Sequence, residues 1–135
     1  MKKLSRRSFV AQSSLAAAAP LMLTTDAEAP KKTGFVHQVF FWMKNPDNKE
    51  EHAQLAKALK DLGKIETIRT AFVGVPTKTE FDKGATDDSY SFSVVLFFDD
   101  AKGEETYLYH PLHKKFIDDN KHLWRKVVVY DSLPA

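Results

Sequence analysis

The strongest constraint on the fold of this chain is a set of four segments rich in aromatic and β-branched residues. They cover residues 35–44, 65–75, 90–98 and 126–130, and this composition is typical of β-strands. Helical patterns occupy the stretches 49–62 and 101–123 between them. The predicted element order is β-α-β-β-α-α-β, because a proline divides the second helical stretch. This order indicates an α+β domain with a four-stranded, largely antiparallel sheet and helices on one face, the ferredoxin-like arrangement.

The first strand segment presents two different faces. Phe40 and Trp42 lie on one of them, which a monomer would expose to water. Burying several hundred Å² there would contribute on the order of 10 kcal/mol at about 25 cal/mol per Å², before the entropy of association is subtracted. We therefore predict a homodimer in which two sheets pair into an α/β barrel. On the other face, beneath the helices, the alternation places Phe35, His37, Val39, Phe41 and Met43.

Local signals predict where the helices begin and end. Asp47 and Glu50 have the spacing of a capping box at the start of the first helix, and Gly63 is expected to end it. Pro111 opens the last helix, since proline fits the first helical turn but not a helix interior. Residues 131–135 are expected to be a tail.

The first 29 residues have the three-part layout of an export signal, with a basic start, a moderately apolar middle and a small, polar end. Residues 5–9 (SRRSF) resemble a twin-arginine signal in which Arg6 and Arg7 are the recognised pair. The apolar stretch is shorter than the ~20 residues of a membrane span, so we expect no permanent anchor. Cleavage is expected after Ala27 or Ala29. The sequence thus predicts the twin-arginine export machinery as a partner and a periplasmic or secreted domain.

Charge and cysteine content exclude several classes of function. The chain has a net charge of +2, but its first 29 residues hold four of the 20 basic and two of the 18 acidic side chains. The remainder has 16 of each and no net charge, so it lacks the basic surface that binds nucleic acid. The absence of cysteine excludes disulfides, thiolate catalysis and cysteine-ligated metals.

Three motifs together resemble one known family. They are a His-x-Val-x-Phe pattern at His37, Val39 and Phe41, a Tyr-x-x-His-Pro-x-His segment at 107–113, and a closing strand at 124–131 that ends in an aromatic residue and Asp. This set resembles the stress-responsive A/B barrel (Dabb) family. The resemblance implies a ferredoxin-like dimer and a Dabb domain at 35–132, preceded by a linker at 30–34.

The resemblance also implies a candidate site. One family member, the plant enzyme olivetolic acid cyclase, closes a polyketide ring by a cofactor-free aldol step that uses two histidines and a tyrosine. Those positions match His37, Tyr107 and His113 here. A further pocket-lining tyrosine of that enzyme aligns near Ala58, so the resemblance does not extend to its whole substrate cavity. What it implies is acid–base chemistry without a cofactor.

The residue types are compatible with that chemistry and also with structural roles. Imidazole titrates near neutral pH, and a tyrosine hydroxyl stabilises a developing oxyanion. In the structural interpretation, His110 caps a helix end, His113 donates to a carboxylate or carbonyl group, and His37 makes a hydrogen bond beneath the helices. We predict no metal site, because the spacing of these histidines does not define a ligand geometry.

A small apolar ligand is the expected partner besides a second copy of the chain. The side chains expected to contact it are Phe41, His110, Phe116 and Trp124. Most other aromatic side chains are expected to be core or dimer contacts.

Two functions are open at this point. One is an exported barrel that binds a small apolar ligand or acts structurally. The other is a cofactor-free enzyme acting on a carbonyl compound. The enzyme requires a cavity of roughly a few hundred Å³ on which His37, Tyr107 and His113 converge, whereas the structural barrel requires a filled interior.

Overall fold

The computed structural model describes residues 34–135. The predicted export signal, with Arg6 and Arg7, and residues 30–33 of the predicted linker lie outside the described residues. Within the described part, the strands and helices follow one another in the predicted order. The strands are β1 (Phe35–Met43), β2 (Thr70–Gly74), β3 (Phe92–Phe98) and β4 (Trp124–Ser132), and the helices are α1 (Lys49–Asp61), α2 (Ala101–Tyr109) and α3 (Pro111–Asn120).

The strands form one antiparallel sheet in the order β2-β3-β1-β4. This confirms the predicted α+β, ferredoxin-like class. The core lies between the sheet and the helices, where Leu55 and Leu59 of α1 are fully buried. The predicted alternation of β1 is also present, since its buried, helix-facing side chains are Phe35, His37, Val39, Phe41 and Met43.

Polar side chains fix where the helices begin. The Asn48 Oδ1 accepts hydrogen bonds from the backbone N–H groups of Glu50 and Glu51, both at 3.1 Å. The prediction of Asp47 as the cap is therefore wrong by one residue, because Asn48 has the extended backbone that lets a side chain turn back onto the first helical turn. Asp100 caps α2 in the same way. No helix in the described part of the chain is long and apolar enough to cross a membrane.

The largest differences from the predicted strand ranges are in β2 and β4. β2 begins at Thr70 rather than Ile65, because Ile65 reaches the core from a turn instead of a strand ladder. β4 continues to Ser132, because it pairs with β1 along its whole length. The predicted tail at 131–135 is therefore wrong for its first two residues, because Asp131 and Ser132 pair with His37 and Val36 of β1.

The face of the sheet opposite the helices carries partly exposed aromatic side chains. Phe72 is 57 % exposed and Tyr130 is 60 % exposed. Phe40 makes edge-to-face contacts with Tyr90 and Tyr130, with ring centroids 4.9 and 6.0 Å away. This is the face that the sequence predicts to pair in a dimer.

Candidate functional site

A cavity of about 290 Å³ lies between the helix-facing side of the sheet and helices α2 and α3. Its walls are mainly aliphatic and aromatic. Its mouth lies between these two helices and the edge strand β4, because the lining residues Leu108, Ile117, Val127 and Val129 are each 37–47 % exposed. The interior is therefore not filled by side chains, and a small molecule has a route into it.

Three ionisable side chains line this cavity: His37, Tyr107 and His113. They come from three different elements, namely β1, α2 and the first turn of α3. The Tyr107 ring neighbours both imidazoles, with ring centroids 5.7 Å from His37 and 4.5 Å from His113. The structure thus brings together the three residues that the sequence singled out, on one enclosed surface.

The hydrogen bond of His113 determines which of its ring nitrogens is basic. Nδ1 lies 3.0 Å from the carbonyl oxygen of Leu108, and Nδ1 carries the proton because a carbonyl only accepts. Nε2 is then the basic nitrogen, and it makes no hydrogen bond within residues 34–135. Burial lowers the pKa of His113 below its ordinary value and outweighs the Leu108 carbonyl, which raises it. The ring is therefore neutral at pH 7.

Tyr107 is suited to donate a hydrogen bond and not to act as a base. Its side chain is buried, and this burial, with a smaller contribution from the charge of Glu104, raises the pKa of Tyr107 well above its ordinary value. The phenol stays protonated at physiological pH. Its hydroxyl group makes no hydrogen bond with any residue that the structure describes, so it is available to a ligand in the cavity.

His37 is oriented by an acidic residue on the neighbouring strand. The Nδ1 of His37 lies 2.7 Å from the Asp131 Oδ1, because the two residues are paired in the β1–β4 ladder. The carboxylate accepts this hydrogen bond, so Nδ1 carries a proton and donates it. His37 thus makes the internal hydrogen bond expected of a structural histidine and also lines the cavity.

A second carboxylate, that of Glu104, lies beside His37. The residue is 9 % exposed, and its Oε1 lies 3.6 Å from the His37 Nδ1, beyond hydrogen-bond distance. Desolvation raises the pKa of Glu104, the nearby His37 lowers it, and repulsion from Asp131 raises it further. The outcome is a carboxyl group that holds its proton more tightly than usual.

Glu104 and Asp131 are members of this site that the sequence alone does not identify. The pattern predicts Asp131 in the tail and gives Glu104 no site role. One signal for Glu104 was present, since it precedes Tyr107 by three residues and so shares a face of α2 with it. A signal for Asp131 was present in the closing strand, whose final acidic residue can pair with the first strand.

Three of the four residues expected to contact an apolar ligand line the cavity, and the fourth does not. Phe41, Phe116 and Trp124 line the cavity, and the Trp124 ring packs against the other two with centroids 5.1 and 5.6 Å away. His110 does not line it. Instead its Nδ1 accepts a hydrogen bond from the Leu112 N–H at 3.1 Å, which makes His110 the N-cap of α3.

Comparisons with solved structures show the same fold in other proteins. A Dabb family protein with a ferredoxin-like fold from Mesorhizobium loti is 23% identical, with a TM-score of 0.62 over 76% of this chain and 98% of that chain. A dimeric ferredoxin-like protein of unknown function from Thermobifida fusca is 20% identical, with a TM-score of 0.61 over 75% of this chain and 91% of that one. A hydroxynitrile lyase from Passiflora edulis is 17% identical, with a TM-score of 0.63 over 76% and 95%.

A comparison with sequence families covers most of the chain. No curated protein matches the chain. The family model of the stress-responsive A/B barrel domain matches residues 35–133, which include every strand and helix described above. The chain therefore belongs to the stress-responsive A/B barrel family.

Proposed function

We propose that this domain is a cofactor-free enzyme that binds a small apolar carbonyl compound and transfers a proton on it. One observation carries the proposal. A cavity with apolar walls holds an unprotonated imidazole nitrogen, on His113, beside a protonated phenol, on Tyr107, and the two ring centroids are 4.5 Å apart. A base and a hydrogen-bond donor in one enclosed space are the two groups that enolisation requires.

The volume of the cavity limits the size of the ligand. An apolar cavity of ~150 Å³ binds benzene, and the present cavity, at about 290 Å³, is about twice as large. A compound of roughly ten non-hydrogen atoms fits such a space. Because the walls are apolar apart from a few polar side chains, the ligand class is a hydrocarbon body with one carbonyl group.

The proposed reaction uses only side chains of this chain. The Nε2 of His113 removes a proton from the carbon next to the carbonyl group, and the electron pair of the broken C–H bond forms an enolate. The enolate oxygen accepts a hydrogen bond from the Tyr107 hydroxyl. The resulting imidazolium of His113 then returns a proton to carbon. The hydroxynitrile lyase from Passiflora edulis supports this proposal only in that the same fold accommodates an enzyme.

Deuterium exchange on acetophenone tests the proposal without knowledge of the natural substrate. Full-length protein in D₂O should accelerate the loss of the methyl-proton signal of acetophenone. The variant Tyr107→Phe should lower this rate by roughly 10²-fold, as removal of an oxyanion donor does, and His113→Gln by roughly 10²–10⁴-fold. Tyr109→Phe is the matched control, because Tyr109 is exposed on the same helix. Exchange that is no faster than with Tyr107→Phe protein would contradict the proposal.

We also propose that two copies of the domain pair through the open face of the sheet. Phe72 and Tyr130 on that face are more than half exposed, and burial of such a surface favours association. The protein from Thermobifida fusca is described as dimeric, which supports a homodimer here.

Export through the twin-arginine pathway is the proposed route to the periplasm or the exterior. The support is the sequence of residues 5–9, with Arg6 and Arg7 as the pair. Replacing both by lysine keeps the charge, and it should retain the protein inside the cell in a bacterium that has this pathway. Unchanged export of the double variant, measured by fractionation, would contradict the proposal.

A further inference from the structure

We propose that His37, Glu104 and Asp131 bind one divalent transition-metal ion, with zinc as the best match. The His37 Nδ1 and one carboxylate oxygen from each of Glu104 and Asp131 lie within 4.8 Å of one another. The three residues come from β1, α2 and β4, so three packed elements fix their positions. Neither the motifs in the sequence nor the proposed chemistry of the cavity assigns a metal to them.

Within residues 34–135, His37 is the basic neighbour of the Glu104 carboxylate. Glu104 is 9 % exposed, and its carboxylate accepts no hydrogen bond from any of residues 34–135. The single Nδ1 proton of His37 is donated to Asp131 at 2.7 Å, which leaves Glu104 at 3.6 Å. The Glu104 side chain is 11% exposed, and a carboxylate this largely buried is stabilised when a cation contacts it. One cation in place of the Nδ1 proton would contact all three groups.

The donor set matches zinc in charge, ligand type and spacing. Two carboxylates and a neutral imidazole carry a charge of about −2, which a dication neutralises, and one nitrogen with two oxygens is a donor set that zinc accepts. Ligands at ~2.0–2.2 Å from a tetrahedral ion are about 3.3–3.5 Å from one another. The His37 Nδ1 lies 2.7 and 3.6 Å from its two carboxylate neighbours, and all three ligand atoms lie within 4.8 Å of one another. Side-chain shifts of about 1 Å would bring them to the spacing of a tetrahedral site.

The site also has an entry route and room for a further ligand. The Asp131 side chain is 44% exposed, whereas those of His37 and Glu104 are 6% and 11% exposed. Solvent therefore reaches the cluster from the side of Asp131. Three protein ligands with one position open to water is the usual arrangement when a zinc ion is not purely structural.

Metal binding would change what His37 presents to the cavity. With the proton on Nδ1, the Nε2 of a neutral ring accepts hydrogen bonds. With a metal on Nδ1, the remaining proton of the neutral ring moves to Nε2, which becomes a donor. The metal would thus reverse the hydrogen-bonding character of His37. The site does not depend on the proposed enzymatic activity, since it lies on the carboxylate side of His37.

Calorimetric titration of zinc into full-length, chelator-treated protein tests the proposal. We expect one ion per chain with micromolar or tighter affinity. Nitrogen-15 NMR of His37 should show the Nδ1-protonated ring before zinc and the Nε2-protonated ring after it. Glu104→Gln should weaken binding by at least about tenfold, while Glu105→Gln, an exposed neighbour on α2, should leave it unchanged. Asp131→Asn is a second ligand variant, at a position whose side chain is 44% exposed.

Three outcomes would overturn the proposal. They are no saturable zinc binding, binding that Glu104→Gln and Asp131→Asn both leave unchanged, and binding that does not alter the His37 tautomer. The last would place the ion elsewhere on the surface. None of these outcomes depends on acetophenone exchange, so failure of the metal site and failure of the proposed enzymatic activity are distinguishable.

Discussion

At the scale of single residues, Glu104 is a buried carboxyl group whose ionisation lowers the stability of the fold. Burial raises its pKa, so the folded protein binds this proton more tightly than the unfolded chain does. The stabilisation that this gives is complete below the ordinary value of 4.5. It is lost as the pH rises through the raised pKa of the folded state. Above that raised pKa, the ionised carboxylate lowers the stability of the metal-free protein.

Replacing Glu104 by glutamine should remove this pH-dependent cost. In the presence of a chelator at pH 7, we expect Glu104→Gln to raise the free energy of unfolding by about 1 kcal/mol, measured by urea denaturation. The gain should shrink at pH 4, where the wild-type carboxyl group is also protonated. Glu105→Gln is the control and should change stability by less than about 0.5 kcal/mol. A Glu104→Gln protein that is less stable at pH 7 would contradict this assignment.

The same residue shows where prediction from sequence fails. His37, Tyr107 and His113 belong to motifs, and the structure places all three on one cavity. Glu104 belongs to no motif, and glutamate is rarely buried, so its residue type predicts a solvent-exposed side chain even though it shares a face of α2 with Tyr107. Its role follows from the packing of α2 on β1, and that packing depends on tertiary contacts that the sequence pattern does not contain.

At the scale of elements, the junction of α2 and α3 positions His113. His110 ends α2 and caps α3, with its Nδ1 accepting from the Leu112 N–H. Pro111 occupies the first helical position. The hydrogen bond from His113 to the Leu108 carbonyl spans this junction. The geometry of the base in the cavity therefore depends on a helix cap.

Loss of this cap should affect both stability and the site. His110→Ala should lower the free energy of unfolding by about 1 kcal/mol, measured by urea denaturation, and should shift the NMR signals of His113. His110→Asn, which supplies another capping acceptor, should restore most of the stability. Equal destabilisation by alanine and asparagine would show that the histidine acts through something other than the cap.

The elements themselves are largely predictable, and their ends are less so. β1, β3 and the helices follow from periodicity within the segments that bear them. The limits of β2 and β4 do not follow from periodicity, because a strand ends where its backbone pairing with the neighbouring strand ends. Asp131 belongs to β4 because it pairs with His37 of β1. Ile65 is not part of β2, because it lies in a turn from which its side chain packs into the core.

At the scale of the whole molecule, the open face of the sheet should determine the oligomeric state. We expect light scattering to give twice the mass of one chain for the wild type. Phe72→Glu places a charge on that face and should give a monomer. Phe81→Glu is the matched control, because Phe81 is fully exposed in a loop outside the sheet, and it should remain dimeric. A monomeric wild type at micromolar concentration would contradict the barrel.

The proposed function requires that the cavity binds an apolar carbonyl compound with its oxygen at Tyr107 and its acidic carbon at His113. Histidine and tyrosine NMR of full-length protein, titrated with acetophenone and with its hydrocarbon analogue cumene, can detect this binding mode. We expect that acetophenone shifts the Tyr107 hydroxyl and the His113 Nε2 signals and that cumene, in the same cavity, shifts neither to the same extent. Identical shifts with both compounds, or none with either, would contradict it.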